Sequence, residues 1–129
     1  MTTKLIRDRI PEIAAARGQQ LTVHTAGTNE MVALLLDKLD EEALEVSEAA
    51  SNDELLNELA DVLEVLHAIT RLNGWTLDDL EQARLKKHTE RGGFDRQLVL
   101  TTPDAECTCI HEPEKDAGVL LHAGYCAAA

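Results

Sequence analysis

The stretch EMVALLLDKLDEEALEVSEAASNDELLNELADVLEVLHAITRL, residues 30–72, predicts two long helices separated by a short turn. Its apolar side chains recur with the period of an amphipathic helix. Ser51, followed three residues later by Glu54, has the capping-box pattern that begins a helix. We therefore expect one helix over about residues 30–50 and a second over about residues 53–72. A connection this short makes them antiparallel neighbours, so the sequence predicts an all-α antiparallel helical bundle.

Shorter elements are predicted on the N-terminal side of this pair. Residues 4–17, KLIRDRIPEIAAAR, begin extended, and their proline suits the first turn of a short helix. Gly18 follows as the residue that ends that helix. Residues 20–24, QLTVH, have weak strand character. Thr28 or Asn29 is expected to cap the first long helix.

A further helix is predicted on the C-terminal side of the pair. Thr76, with two acidic residues in the turn after it, begins this helix, which ends near Glu90. Residues 97–102, QLVLTT, have the composition of a strand. Beyond them the pattern is irregular. Short extended segments are therefore expected at both ends of the helical part.

The composition narrows the classes of function. A chain of 129 residues suggests one domain. Its net charge of −12 opposes binding to a DNA or RNA polymer, and its single Trp, Tyr and Phe offer no stacking platform for bases. No apolar run approaches the ~20 residues of a membrane helix, and the start lacks the apolar core of a secretory signal. Three cysteines do not form an even disulfide framework, so a cytoplasmic location is expected.

Five acidic residues stand near the seam between the two long helices. They are Glu41, Glu42 and Glu45 on the first helix and Glu58 and Asp61 on the second. Residues three or four apart share one face of a helix, so Glu41 pairs with Glu45, and Glu58 pairs with Asp61. Carboxylates buried together repel each other and are costly to desolvate. A divalent cation removes this cost, and Mg²⁺ is the usual choice where phosphates complete its ligand shell.

These motifs resemble those of a known enzyme family. The order EExxE on one helix and ExxD on the next, with the opening KLIRDRIPEI and the closing RGGF, is similar to the MazG-type all-α nucleoside triphosphate pyrophosphohydrolases, in their phosphoribosyl-ATP pyrophosphohydrolase-like branch. The resemblance covers residues 3 to about 95, which makes residues 1–95 a MazG-like domain and residues 96–129 a tail of unknown role. It implies hydrolysis of a nucleoside triphosphate at the α–β bond to the monophosphate and pyrophosphate, with Mg²⁺ as cofactor and Mn²⁺ as a substitute. The chain lacks the SYT-type opening of the histidine-pathway enzyme, so house-cleaning of non-standard nucleotides is the implied role.

The chemistry of this reaction suggests a role for each charged residue. Phosphoryl hydrolysis needs charge neutralisation on the phosphate oxygens and an oriented water, which metal ions provide. One or more ions are expected to bind the five acidic residues, Glu41, Glu42, Glu45, Glu58 and Asp61. Glu41 and Glu42 are the candidate catalytic residues, and Glu42 is either a further ligand or the base that orients the water. The expected contacts to the substrate phosphates are Lys4, Arg7, Lys38, Lys87 and Arg91.

Several of these residues also have an ordinary structural interpretation. Acidic helix faces are commonly just solvated, although here the second acidic pair is embedded in apolar sequence. Lys38 can pair with Glu42 four residues later. Lys87 can complement the dipole at a helix C-terminus, and the two glycines after Arg91 can simply end that helix.

Other classes of protein remain alternatives. A di-iron carboxylate protein uses Glu-x-x-His pairs, and Glu64 with His67 matches that pattern once. A non-enzymatic interaction or regulatory module is compatible with the wide apolar coverage of the second long helix. The same coverage predicts a homodimer or tetramer, in which a second copy completes the core. A zinc site in the tail would use Cys107, Cys109, His111, His122 and Cys126.

Overall fold

A computed structural model describes residues 2–101, which contain four helices and no strand. The helices are α1 (Ile10–Ala16), α2 (Thr28–Glu48), α3 (Asn52–Leu72) and α4 (Leu77–Arg91). The all-α prediction is confirmed, but both strand predictions are wrong, because residues 20–24 and 97–101 are irregular. A strand needs a neighbour for its backbone hydrogen bonds, and a helical chain provides none. Across this described part, every helix is too short or too polar to cross a membrane.

The four helices belong to one compact unit, Met1–Gly92, and a second unit is formed by Gly93–Ala129. Within the first unit, α2 packs along α3, and α4 packs on α3. The predicted domain boundary at residue 95 stays a prediction. The candidate zinc site in the tail lies outside the described residues.

The two long helices begin and end within two residues of their predicted bounds. α3 begins as expected, since the Ser51 hydroxyl accepts a hydrogen bond from the Glu54 amide at 3.1 Å. The Glu54 carboxylate reaches back to the Ala50 amide at 2.8 Å. α2 differs from the prediction, because its N-cap is Gly27, and Thr28 is already helical. The extended backbone of Gly27 suits an N-cap position, although no side chain caps this helix end.

The two shorter helices carry the expected end signals. Pro11 lies in the first turn of α1, and Gly18 follows the helix with φ of 77°. A side chain would be strained in this left-handed conformation, which explains the glycine. In the capping box that begins α4, the Thr76 hydroxyl accepts a hydrogen bond from the Asp79 amide, and the Asp79 carboxylate accepts one from the Thr76 amide. Local sequence signals therefore determine where α1 begins and ends and where α4 begins.

The hydrophobic core of the described chain is small. Its buried apolar residues are Ala14, Leu35 and Val65, one each from α1, α2 and α3. No large side chain is completely buried. One face of α3 instead exposes four leucines spaced three and four residues apart, which we call the α3 leucine stripe: Leu56, Leu59, Leu63 and Leu66. The core of a single chain leaves this apolar stripe in contact with water.

Candidate active site

Three carboxylates from the two long helices converge on one point. Each of Glu42 on α2 and Glu58 and Asp61 on α3 offers an oxygen, and these oxygens lie within 4.8 Å of one another. Glu58 and Asp61 are three residues apart and share a face of α3. The antiparallel packing of α2 brings Glu42 against that face. Among residues 2–101, this is the one cluster of at least three potential ligands with such spacing.

The cluster contains buried carboxylate oxygens that have no partner. Glu42 is only 6% exposed, and its Oε2 atom has no hydrogen-bond partner. The Oε2 atom of Glu58 is also buried without a partner. An unsatisfied charged oxygen in the interior costs free energy that a bound cation would recover. The donor set fits a hard divalent cation, because all three ligands are carboxylate oxygens.

Glu45 lies one helical turn from Glu42 and close to Glu58. The neighbouring carboxylate of Glu42, together with the negative charge of Glu58, raises the pKa of Glu45 to about 7. Burial opposes ionisation of Glu42, but the bond from Lys38 and the neighbouring carboxyl group of Glu45 outweigh it and lower the pKa of Glu42. The carboxyl groups of Glu42 and Glu45 therefore share their charge unequally, with Glu42 ionised and Glu45 protonated as the pH falls below about 7.

Three of the five predicted basic residues surround the acidic cluster. The Lys38 ammonium group lies 2.9 Å from Glu42 and 3.4 Å from Glu41, so the alternative pairing of Lys38 with Glu42 is present. Lys4 lies 3.5 Å from Glu41. Arg7 donates directly to Asp61. Burial opposes protonation of Lys38, but its bonds to Glu42 and Glu41 raise its pKa, so it stays charged.

The remaining predicted site residues are Glu41, Lys87 and Arg91, and none of them belongs to the cluster of three carboxylates. Glu41 faces the ammonium groups of Lys4 and Lys38 and is not one of the three converging carboxylates. Lys87 and Arg91 lie near the exposed C-terminal end of α4, and neither lines the groove beside the carboxylate cluster. Arg91 immediately precedes Gly92, whose φ of 81° ends the helix as the glycine pattern predicted. The roles assigned to Glu41, Lys87 and Arg91 stay predictions.

A groove with a volume of ≈ 560 Å³ adjoins the acidic cluster. Glu42 and Asp61 line one part of it, and Leu35 and Val65 form an apolar wall. Residues 5–10 of the N-terminal segment and α1 contribute another wall. The opening motif KLIRDRIPEI therefore lies against the carboxylates that the sequence analysis singled out. A ligand in this groove would contact both motifs together.

Sequence reasoning missed Arg71, which lines the same groove from the last turn of α3. A signal for it was present, because Asp61, Val65, Ala68 and Arg71 follow the three- and four-residue spacing of one helix face. All four line the groove. The spacing was applied to the apolar and acidic residues of α3 but not to the arginine that continues the same face, so Arg71 was not predicted.

The di-iron alternative finds no support in the arrangement of side chains. Glu64 lines the groove, but neither Glu64 nor His67 belongs to the carboxylate cluster found in residues 2–101. A di-iron centre of the bundle type takes a histidine from each of two helices as ligands. The cluster is made of carboxylates only, which favours Mg²⁺ or a similar hard ion.

Comparison with known proteins gave one match. The family model for phosphoribosyl-ATP pyrophosphohydrolase matches residues 6–88, well over half of the chain. Searches of curated proteins and of solved structures gave no match. The matched region includes α1, α2, α3 and most of α4. It therefore contains all five acidic residues and every residue that lines the groove except Leu5.

Proposed function

Because this chain belongs to the phosphoribosyl-ATP pyrophosphohydrolase family, whose members hydrolyse a phosphoanhydride of a nucleotide, we propose that it cleaves the α–β bond of a nucleoside triphosphate. The products are the monophosphate and pyrophosphate. The observation that carries this proposal is Glu42, a buried carboxylate with an unpartnered oxygen, beside Glu58 and Asp61. Such a group is stable in the interior when a cation binds it.

We propose that Glu42, Glu58 and Asp61 hold Mg²⁺, with Glu45 and Glu41 at the edge of the site. Bound Mg²⁺ supplies charge neutralisation at the phosphates and a water of lowered pKa. Glu45 is suited to accept a proton from that water, because it adjoins Glu42 and its raised pKa makes it a stronger base than an ordinary carboxylate. Glu41 and Glu42 remain the candidates from sequence for the same task.

The basic side chains around the cluster are suited to bind the triphosphate. Lys4, Arg7 and Lys38 already lie beside Glu41, Asp61 and Glu42. Binding of a cation would reduce the negative charge that holds them and leave their donors available to phosphate oxygens. Arg7 is suited to bidentate contact with a phosphate, whereas the lysines act as point charges.

We propose non-standard nucleotides as the substrates, in a house-cleaning role. The KLIRDRIPEI motif at residues 4–13, which resembles that of predicted house-cleaning proteins, supports this choice. A panel of canonical and modified nucleoside triphosphates with Mg²⁺, including phosphoribosyl-ATP, tests it. Pyrophosphate as product is expected. Orthophosphate as the sole phosphate product would refute cleavage at the α–β bond.

Glu58→Gln tests the site itself. The substitution keeps the size of the side chain and removes the charge of a proposed ligand, so Mg²⁺-dependent release of pyrophosphate should fall at least about 100-fold. Glu48→Gln, at the exposed end of α2, is the matched control and should retain activity. Turnover of Glu58→Gln equal to that of the control would remove Glu58 from the site.

We infer that two copies of the chain associate through the α3 leucine stripe. Leu56 is 69% exposed, and Leu59 and Leu63 are each 49% exposed, although their spacing is that of a helix–helix contact. Only three apolar residues are buried within residues 2–101, which is a smaller hydrophobic core than a chain of this length can form. A second copy of α2 and α3 would complete a four-helix core.

Sedimentation of Leu63→Glu tests this association. The charge would lie in the centre of the contact, so the wild-type chain should sediment as a dimer or tetramer and the variant as a monomer at micromolar concentration. Leu98→Glu makes the same change at a leucine that is exposed outside the helices, and it should leave the assembly intact. A wild-type monomer would contradict the inference.

A further inference from the structure

The segment that precedes α1 forms one wall of the groove without being part of a helix. We call residues 4–9 of this segment the N-terminal strap. Within residues 2–101, no backbone hydrogen bond joins residues 2–6 to a helix. Leu5 and Ile6 of the strap are half-buried and line the groove. The strap is therefore held in place by its side chains.

The two ion pairs that join the strap to the long helices both end on acidic residues of the candidate site. Arg7 donates to Asp61, which is one of the three converging carboxylates. The ammonium group of Lys4 lies 3.5 Å from Glu41. These four side chains are between 36% and 66% exposed. Each pair therefore shifts the equilibrium between the attached and the released strap by no more than about five-fold.

A cation bound at the cluster would compete with both ion pairs. Asp61 is the partner of Arg7 and also a proposed metal ligand, so the guanidinium group and the metal require the same carboxylate. A divalent cation at this place would also repel the positive charges of Arg7 and Lys4. In the metal-free protein, by contrast, these two charges reduce the mutual repulsion of the carboxylates. The attachment of the strap and the binding of the metal therefore oppose each other.

We propose that the N-terminal strap closes the groove in the metal-free protein and is released when a cation binds at the three carboxylates. The wall formed by Leu5 and Ile6 then leaves the groove more often, while α1 stays anchored through its buried residue Ala14. A nucleotide enters the groove most readily after the metal has bound. This inference rests on the proposed function, because it takes the three carboxylates as the metal site.

Cleavage of the native protein by chymotrypsin after Leu5 measures release of the strap. The protease needs an extended segment, so the cleavage rate follows the population of the released strap when release and reattachment are fast. Cleavage is followed by mass spectrometry in chelator and in Mg²⁺. The ionic strength is matched with NaCl, because salt alone weakens exposed ion pairs. Mg²⁺ should raise the rate by about 2- to 25-fold, which is the combined effect of losing two such pairs.

Cleavage in the middle of α2 provides an internal control. Mg²⁺ should slow cleavage after Leu39, because a bound cation stabilises the folded state from which this bond must be released. A cation that only stabilised the fold would slow cleavage after Leu5 as well. Opposite changes at the two bonds therefore distinguish release of the strap from general stabilisation.

The double variant Lys4→Gln/Arg7→Gln removes both ion pairs. In chelator, its rate of cleavage after Leu5 should already equal that of the wild-type protein in Mg²⁺, and Mg²⁺ should raise it no further. Each rate is divided by that of a synthetic peptide with the same N-terminal sequence, which corrects for the preference of the protease. Arg9→Gln is the matched control. Arg9 lies in the strap but pairs with Glu12 at 3.4 Å, so this variant should respond to Mg²⁺ as wild type does.

The outcomes separate this inference from the proposed function. A rate of cleavage after Leu5 that Mg²⁺ lowers or leaves unchanged would overturn the role of the strap. A double variant that is cleaved at the wild-type rate in chelator would do the same. Pyrophosphate release in the same preparation would then still support the proposed reaction. Conversely, Mg²⁺-dependent release of the strap in a preparation that forms no pyrophosphate would support the strap, and only the proposed reaction would fail.

Discussion

In the Glu42→Gln variant, Mg²⁺ should no longer stabilise the protein against unfolding. The stability of the metal-free protein should change little. Glu42 is buried, has one unpartnered oxygen and bonds Lys38 at 2.9 Å through the other. Glutamine has nearly the same shape, so the packing between α2 and α3 is preserved. In the wild-type protein, Oε2 of Glu42 has no hydrogen-bond partner. The amide group of glutamine at the same place can donate a hydrogen bond to a neighbouring carboxylate of the cluster.

Two effects of similar size oppose each other in the metal-free protein. Relief of a buried unsatisfied group is worth about 1–3 kcal/mol, and loss of the charge-assisted bond from Lys38 costs about 1.5–3 kcal/mol. The free energy of unfolding should therefore change by at most about 2 kcal/mol. Metal binding is different. Mg²⁺ at 100 times its Kd stabilises the wild-type protein by about 2.7 kcal/mol, which raises Tm by about 10–20 °C for a domain of this size.

Thermal unfolding in chelator and in Mg²⁺ measures both quantities. The wild-type protein should show the large Mg²⁺-dependent rise in Tm, and Glu42→Gln should show almost none. Glu48→Gln, on the same helix, serves as the control and should respond as wild type does. An equal rise in the two variants, or a Glu42→Gln protein that is more than about 3 kcal/mol less stable in chelator, would show that Glu42 is an ordinary structural carboxylate.

Four further predictions concern other residues of the site and the core. Because the pKa of Glu45 is raised to about 7, Mg²⁺ must displace a proton from Glu45 when it binds below that pH. The apparent affinity for Mg²⁺ should therefore rise as the pH increases through 7. This rise should be absent when Mg²⁺ is titrated into the Glu45→Gln variant. The same raised pKa means that the folded state binds this proton more tightly than the unfolded state, so metal-free stability should fall as pH rises toward 7. Arg7→Ala breaks a half-exposed ion pair with Asp61, so the free energy of unfolding should change by less than about 1 kcal/mol. The KM for the nucleotide, measured from initial rates, should rise about 10-fold or more because a contact to phosphate is lost. An unchanged KM would exclude Arg7 from phosphate binding. Leu35 is 2% exposed, so Leu35→Ala should cost about 2–5 kcal/mol in urea unfolding, and a cost below about 1 kcal/mol would mean that the core lies elsewhere.

The helices of this protein follow from local sequence. The apolar period over residues 30–72 predicts α2 and α3, and the Ser51 and Thr76 caps begin α3 and α4 at the expected places. These signals act within a few residues, so no knowledge of the tertiary structure is needed to interpret them. The strand predictions failed for the opposite reason, because a strand is stabilised by partners that local sequence does not specify.

The identity of the residues in the cluster was only partly predictable. Sequence spacing placed Glu41 and Glu45 on one face and left Glu42 about 100° away around α2. In the folded chain it is Glu42 that meets Glu58 and Asp61, while Glu41 pairs with Lys4 and Lys38. Periodicity fixes which residues share a face, but the rotation of that face toward its neighbour is decided by side-chain packing.

The sequence by itself determined the helices, their ends and a supply of carboxylates on two adjacent helices, because these properties depend on neighbours three or four residues away. Only the tertiary structure decided which carboxylates converge and which residues line the groove beside them. Packing around Leu35 and Val65 sets the rotation and register of α2 against α3, and the N-terminal segment forms the opposite wall. Such contacts join residues far apart in the chain, so their outcome depends on the whole core.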